Sequence, residues 1–225
     1  MSRGQSLGVL AEFTVQQWGM VTAAQARSAG VSRADVGRLI VDGALEVMPG
    51  ASRVYRLAGA PVDPDRDAVR AVWLQLGGSG AAAVRLRVPD AVVAGRSAAL
   101  MLGIGDLAAP VHEFYVTSRR QLRRDDVRLR VRRALPSSDW RVVDGLPVCT
   151  VPRVLADLLG ELEDGSAVAR ICQDALRAGL IDRARLRTVV AAHVAAYGAV
   201  SPNDFVSDLL GKASTTDEVS GALPA

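Results

Sequence analysis

Residues 22–43 read TAAQARSAGVSRADVGRLIVDG and contain two helix starts separated by a glycine turn. Thr22 stands three residues before Gln25, the spacing of a capping box in which each side chain takes one free amide of the first helical turn. Gly30 provides the conformation that ends a helix. Ser32 then caps the next helix, with Asp35 in its positive first turn. The stretch therefore predicts two short helices joined by a tight turn.

The flanking sequence completes a winged helix-turn-helix. Apolar residues at helical spacing predict a first helix over residues 7–17. Residues 45–48 and 53–57 alternate like strands on either side of a loop at 49–52. Three short helices alone bury little surface, and a hairpin completes their core. We therefore expect a winged helix-turn-helix over residues 1–58.

The remainder of the chain predicts a second, larger unit. Residues 59–66 contain two prolines and no periodicity, which is typical of a linker. A mixed domain is predicted over residues 67–210, and a disordered tail over 211–225. The expected fold class is α+β: an N-terminal winged helix-turn-helix followed by a larger mixed α/β domain. In the mixed domain, strands are predicted over 113–117, 127–133 and 146–149. Helices are predicted over 67–76, 97–102, 166–178, 182–196 and 202–210, and a further helix is predicted to begin after Thr150, which caps it.

Composition excludes several classes of protein. Hydrophobic residues make up 49% of the 225-residue chain and charged residues 23%, an ordinary globular balance. The sequence has neither an apolar run of the roughly 18–20 residues that a membrane span needs nor a secretory pattern. Cys149 and Cys172 form neither a disulfide framework nor a metal-ligand spacing. We therefore expect a cytoplasmic protein with no metal and no membrane partner.

Common enzyme motifs are absent from the sequence. The run GGSG at 77–80 lacks the lysine of a phosphate-binding loop. Ser97 lacks the glycine that stands two residues after a hydrolase nucleophile, so we interpret it as a helix cap. His112 and His193 are interpreted as structural, and Cys149 as a buried thiol. The sequence predicts no catalysis and no cofactor.

The helix predicted over residues 33–41 suits the major groove of DNA, where the second helix of a helix-turn-helix lies. Its periodicity places one face in the core and the other in solvent. The predicted core face comprises Val36, Leu39 and Ile40, and the outer face comprises Ala34, Arg38 and Val41. Arg38 is expected to read a guanine edge through two hydrogen bonds, worth about 1–3 kcal/mol of discrimination. Arg33, on the flank, is expected to bind a phosphate or a base.

Further DNA contacts are predicted around this helix. Thr22, Gln25 and Ser32 stand at helix starts, where phosphate is favoured. Arg53, in the hairpin, can reach the DNA backbone or the minor groove. Two alternatives stay open, because Arg38 can equally be a solvated helix residue and winged helices also bind proteins.

Arginine carries nearly all the positive charge. The net charge is +3 with 27 basic residues, of which only Lys212 is a lysine. The codon bias of a GC-rich genome explains such a total, so the distribution is more informative. Eight arginines lie between Arg119 and Arg133, and three of them form one face of a predicted strand: Arg128, Arg130 and Arg132. Such a face meets water, phosphate or an acidic partner, and we count these three among the candidate DNA contacts.

Several segments together resemble the AbiEi-type antitoxins of type IV toxin–antitoxin systems. In the first sixty residues the similar segments are GMVTAAQA at 19–26, AGVSR at 29–33, DGAL at 42–45 and VYRL at 54–57. Further along they are RSAA at 96–99, DGLPVCTVPR at 144–153 and DALRAGL at 174–180. The resemblance covers about residues 8–185 in patches. Gly95 stands where the family usually has a histidine.

The resemblance implies a cytoplasmic antitoxin that represses its own operon by binding inverted repeats in the promoter. It also implies that the C-terminal domain neutralises a nucleotidyltransferase-like toxin. The DNA-contacting face of the family corresponds here to Ser32, Arg33, Arg38 and Arg53. Two alternatives are a stand-alone winged-helix regulator, whose second domain senses or dimerises, and a protein-binding module that does not contact DNA.

Overall fold

The computed structural model describes the backbone of residues 1–122 and 124–220 and the side chains of residues 1–122 and 124–211. Within these ranges it contains ten α-helices, two short 3-10 helices and two β-sheets. The predicted α+β class is therefore confirmed. In the described part, no helix combines the length and the apolar character needed to cross a membrane.

The first sixty residues form three helices and a three-stranded sheet. Their bounds are α1 Arg3–Thr14, β1 Met20–Thr22, α2 Ala23–Ser28, α3 Arg33–Val41, β2 Leu45–Val47 and β3 Val54–Leu57. Helix α1 begins earlier than predicted because Ser2 and Gln5 form a capping box at its start. Strand β1 was not predicted. It pairs antiparallel with β3, which places β3 in the centre of the sheet.

The helix ends in this region follow the predicted local chemistry. Thr22 Oγ1 accepts a hydrogen bond from Gln25 N, and Gln25 Oε1 accepts one from Thr22 N, so the capping box is confirmed. Ser32 and Asp35 form an equivalent box at the start of α3. Gly30 has a φ of +82°, the left-handed conformation that lets the chain turn between α2 and α3.

The rest of the chain forms a five-stranded sheet covered by helices. The bounds are α4 Asp67–Gly77, α5 Ala82–Arg85, β4 Ala91–Val93, α6 Gly95–Leu102, β5 His112–Val116, β6 Val127–Val131, β7 Trp140–Val143, β8 Leu146–Cys149, α7 Val151–Gly160, α8 Gly165–Arg177, α9 Arg183–Val190 and α10 Pro202–Ser220. The helix predicted over 182–196 ends at Val190 and is followed by two 3-10 helices. Helix α10 includes the first part of the segment predicted as a tail, and residues 221–225 lie outside the described part.

The five-stranded sheet has the order β6-β5-β4-β8-β7. Strands β4 and β8 lie in its interior and pair in parallel, whereas β7 and β8 form an antiparallel hairpin through Asp144-Gly145. The residues of β4 and β8 are all buried, as expected for strands that are covered on both faces. Helix α4 packs against β4 and also against β1 and β3, so it lies between the two sheets.

The two sheets share one large hydrophobic core. Met20, Met48 and Val54, from the first sixty residues, are buried in the same cluster as Trp73 and the strands of the five-stranded sheet. A smaller separate cluster lies between α1, α2 and α3 and includes Leu10, Val21 and Leu39. Burying a large apolar side chain stabilises a fold by about 1.5–3 kcal/mol. The shared core therefore stabilises the position of the first sixty residues on the rest of the chain.

Polar contacts fix the same junction. Trp18 Nε1 donates to the Asp144 carbonyl oxygen (3.0 Å), and the Trp18 ring meets that of Trp73 edge-on at 6.5 Å. The Arg70 guanidinium lies 5.3 Å from the Trp18 ring centre and pairs with Asp67 and Asp144. These contacts of Trp18 and Arg70 join the segment between α1 and β1 to the β7–β8 turn.

Candidate nucleic-acid interface

Helix α3 presents the predicted outer face to solvent. Val36 and Leu39 are buried, whereas Ala34, Arg38 and Val41 are exposed, with Val41 87% accessible. The face prediction is confirmed, although Ile40 is only half-buried. The helix thus offers a small apolar and basic surface to solvent.

Arg38 is exposed on that face but has a partner. Its side chain is 67% accessible, and its Nη2 pairs with Asp35 Oδ1. Asp35 Oδ2 also accepts a hydrogen bond from Ser32 Oγ (2.6 Å). Hydrogen bonds from Ser32 and Arg38 hold the pKa of the Asp35 carboxyl well below its usual range, so the pair is ionised near neutral pH. A guanidinium has five N–H donors, so Arg38 can contact a base while Asp35 orients it.

Three other arginines converge on a groove beside α3. Arg27, Arg33 and Arg53 line a cavity of about 350 Å³ together with Val31, Val36 and Tyr55. All three arginines are exposed, and in the described part of the chain no carboxylate lies within ion-pair distance of their guanidinium groups. Three cations without a counter-ion around one groove favour the binding of an anion.

Arg27 was not predicted as a contact. It lies in the last turn of α2, where Gln25 and Ala26 are buried and Arg27 faces solvent. The only signal in the sequence was its charge on a helix of six residues, too short for a reliable face assignment. Its position beside Arg53 depends on the pairing of β1 with β3, which the sequence did not predict.

Arg53 is held at the turn between β2 and β3. Its φ of +65° is left-handed, which costs a non-glycine residue about 1–2 kcal/mol. Its carbonyl oxygen accepts a hydrogen bond from Ala23 N (2.8 Å) at the start of α2. The turn is therefore fixed to α2, and the Arg53 side chain points into the groove that Arg27 and Arg33 share.

The side chains of Thr22 and Gln25, both predicted to contact phosphate, are buried. Thr22 Oγ1 donates to the Gly78 carbonyl oxygen (2.7 Å). Gln25 and Gln17 exchange two amide hydrogen bonds (2.9 and 3.0 Å), and Gln25 Nε2 also donates to Gly80 O (2.9 Å). The capping residues therefore attach α2 to the turn after α4.

The strand with alternating arginines exists as β6, but its arginines already have partners. Arg128 and Arg130 both donate to Glu113 Oε1 (3.1 and 3.0 Å) and pair with Glu161. Arg132 pairs with Asp139 (3.3 Å) and lies over the Tyr115 ring. The acidic partner of this face is thus part of the same molecule, and the assignment of Arg128, Arg130 and Arg132 as DNA contacts stays a prediction. Arg123, in the same basic segment, lies outside the described residues.

The Glu113 carboxylate leaves no room for a side chain at position 95. Its φ is +53°, and a Cβ at this position would lie 2.1 Å from Glu113 Oε2. The buried Glu113 carboxylate accepts a hydrogen bond from Arg96 N (2.8 Å) at the start of α6, where Ala94 provides no side-chain cap. A histidine at position 95, which is usual in the family that the sequence resembles, would require Glu113 to move.

The other groups singled out in the sequence have structural surroundings. Ser97 lies inside α6 rather than at its cap, and its buried Oγ accepts from Glu113 N (3.0 Å). Burial lowers the pKa of His112, and burial raises the pKa of the Cys149 thiol. In the GGSG turn, the added Cβ of Gly77 would overlap the Arg85 guanidinium. Among the described residues, no cluster of three His, Cys, Asp or Glu side chains could hold a metal ion.

Comparison with known proteins gives a likeness of fold. No family model and no curated protein matches the sequence. One solved structure that is similar is the crystal structure of the RV2827C protein from Mycobacterium tuberculosis, with a TM-score of 0.50 and 16% sequence identity. The match covers 93% of this chain and 77% of that chain. At this identity the likeness concerns the fold alone, and it extends over nearly the whole α+β chain.

Proposed function

We propose that residues 1–58 form a winged helix-turn-helix that binds double-stranded DNA. The observation that carries this proposal is the groove in which Arg27, Arg33 and Arg53 meet without a counter-ion. By contrast, Arg128 and Arg130 of the basic strand β6 are paired with a glutamate. Arg27, Arg33 and Arg53 therefore place charge without a counter-ion beside the exposed α3 and the β2–β3 hairpin.

Each arginine then has a distinct role. Arg38, on the outer face of α3, contacts a base edge while Asp35 holds its guanidinium. Arg33, in the first turn of α3, and Arg27 contact the DNA backbone. Arg53, at the tip of the hairpin that acts as the wing, contacts the backbone or the minor groove. Ser32 is exposed at the start of α3, where its backbone is near the positive end of the helix.

We further propose that the protein is an antitoxin that represses its own operon. This step rests on the resemblance to AbiEi-type antitoxins, which links such a DNA-binding unit to a C-terminal domain that neutralises a nucleotidyltransferase-like toxin. In this chain the C-terminal unit is the five-stranded sheet with its covering helices. Promoter DNA with inverted repeats is the proposed ligand of the first unit, and a cognate toxin is the proposed target of the second.

The DNA-binding step is tested by a mobility-shift assay with the full chain and the duplex upstream of its own gene. A sequence-dependent shift that persists in excess random DNA is expected. The absence of any shift at low salt would reject DNA binding and favour a protein-binding module.

The antitoxin step is tested separately by co-expression with the adjacent gene. Growth arrest by a nucleotidyltransferase-like neighbour, relieved by this protein, is expected. A protein that binds its operator but relieves no arrest would be a stand-alone regulator.

A further inference from the structure

A second groove adjoins the first and shares two of its arginines. It has a volume of about 330 Å³, and Arg27 and Arg53 belong to both grooves. One wall is formed by α2 and the hairpin tip. The opposite wall lies outside the first sixty residues and is formed by Gln75, Gly78 and Leu122. The two arginines therefore face the rest of the chain as well as α3.

The hairpin tip is tied to this opposite wall by hydrogen bonds. Gln75 Nε2 donates to Ser52 Oγ (3.1 Å), and Gln75 Oε1 accepts from Arg124 Nη1 (3.3 Å). Gly50, in the same turn, lies close enough that an added Cβ would be 3.6 Å from Arg124 Nη2. The width of the groove is therefore set by direct contacts between its walls.

Arg120 and Arg124, on either side of Leu122, are both held by polar contacts. Arg120 donates to the Leu76 carbonyl oxygen and to Asp90 Oδ2 (2.5 Å). Arg124, two residues after Leu122, pairs with Asp126. Leu122 is half-buried between these anchors and lines the groove. A preformed groove of this kind needs little ordering when a ligand binds.

The charge of the groove selects an anion. None of its nine lining residues is acidic, and two of them are arginines without a carboxylate partner in the described part of the chain. A pocket of similar size beside β6 provides the contrast, since Glu113, Glu161 and Glu163 neutralise its arginines.

We propose that this second groove takes a phosphate of the DNA backbone, so that the DNA-contacting surface crosses from the hairpin onto Gln75 and Leu122. The inference rests on the proposed DNA-binding function and extends it, because it makes the second unit part of the interface. The phosphate lies between the guanidinium groups of Arg27 and Arg53 on one side and Leu122 on the other.

The test measures the affinity of the protein for the upstream duplex by fluorescence anisotropy at several salt concentrations. It compares the unchanged protein with variants that carry a charge at Leu122, on the opposite wall. Leu122→Arg is expected to tighten binding and to add one phosphate contact. One contact steepens the slope of log K against log salt by about 0.9, which makes affinity fall about threefold more between about 50 and 200 mM salt. Leu122→Glu is expected to weaken binding and to make the slope shallower.

Leu162→Arg and Leu162→Glu are the matched controls. Leu162 is 66% exposed and lines the pocket beside β6, so both variants should bind as the unchanged protein does. A gain of affinity in Leu122→Arg cannot arise from misfolding. If the Leu122 variants behave like the Leu162 variants while the unchanged protein binds DNA, the inference is overturned and the proposed function stands. If the unchanged protein binds no duplex, the proposed function itself fails.

Discussion

At the scale of single residues, the partner of each arginine decides what it can do. Arg33 and Arg53 have no carboxylate near them in the described part of the chain, whereas Arg128 and Arg130 share Glu113. An ion pair leaves little charge for a phosphate, and each DNA phosphate needs an available cation. Arg33 and Arg53, together with Arg27, which was not predicted, are therefore the arginines of the groove that are available to a phosphate.

Arg38 is predicted to be a specificity residue. Arg38→Ala removes a bidentate base contact, so operator binding should fall by about 1–3 kcal/mol, while binding to random DNA changes little. Competition binding with operator and random duplexes measures both. Arg183→Ala, an exposed arginine at the start of α9, is the control. Equal losses on the two duplexes would make Arg38 a phosphate contact.

Gly95 is predicted to be intolerant of any side chain. In Gly95→Ala the new methyl group would meet the Glu113 carboxylate at 2.1 Å, and the left-handed backbone adds strain. We expect a loss of about 1–3 kcal/mol in the free energy of unfolding, measured by urea denaturation. Gly8→Ala in α1 is the control, since nothing lies within 4 Å of its added Cβ, and it should be neutral or stabilising. Comparable stability of the two variants would show that Glu113 moves freely.

At the scale of elements, the sequence predicts the ends of α2 and α3 well and short buried strands poorly. Thr22, Gly30 and Ser32 mark the ends of α2 and α3 through local chemistry, and the structure has them there. Strands β1 and β4 have three residues each and are buried throughout, so neither shows a period-two pattern. Without β1, the contact of α2 with the turn after α4 could not be anticipated.

The same limit applies to the candidate site. Thr22 and Gln25 were predicted to contact phosphate because they start a helix, but that start faces Gly78 and Gly80. The outer face of α3, by contrast, follows from its own periodicity and was predicted correctly. Local patterns thus predict which face is polar, and only the tertiary structure shows what that face meets.

The buried amide pair of Gln17 and Gln25 is predicted to act as one unit. Besides the bonds of the pair, Gln17 Nε2 donates to Met20 O, and Gln17 Oε1 accepts from Ala82 N. Removing one amide leaves buried polar atoms of the other unpaired, at about 1–3 kcal/mol. Urea denaturation of Gln17→Ala, Gln25→Ala and the double variant should give a coupling of about 0.5–3 kcal/mol. Additive losses would contradict this.

At the scale of the whole molecule, the first sixty residues are integrated with the rest of the chain. Met20 and Val54 are buried in the large core, and Arg56 pairs with Asp67 at 3.2 Å. The proposed wing is therefore carried on the same framework as the five-stranded sheet. A rigid junction also fixes the position of Leu122 relative to α3.

The integration predicts a single unfolding transition. Tryptophan fluorescence reports the junction through Trp18 and Trp73, and far-UV circular dichroism reports all the helices. The two thermal unfolding curves should coincide, because side chains of both parts are buried in the large core. Two separated transitions would show that the first sixty residues fold independently.

The most direct test of the proposed interface is the salt dependence of duplex binding in two matched triple variants. Arg27→Ala/Arg33→Ala/Arg53→Ala removes the arginines of the groove. Arg183→Ala/Arg185→Ala/Arg187→Ala removes three exposed arginines of α9 that also have no carboxylate partner among the described residues. If each groove arginine neutralises one phosphate, the first variant lowers the slope of log K against log salt by about 3 units, and the second leaves it unchanged. Equal slopes in both variants would contradict the account.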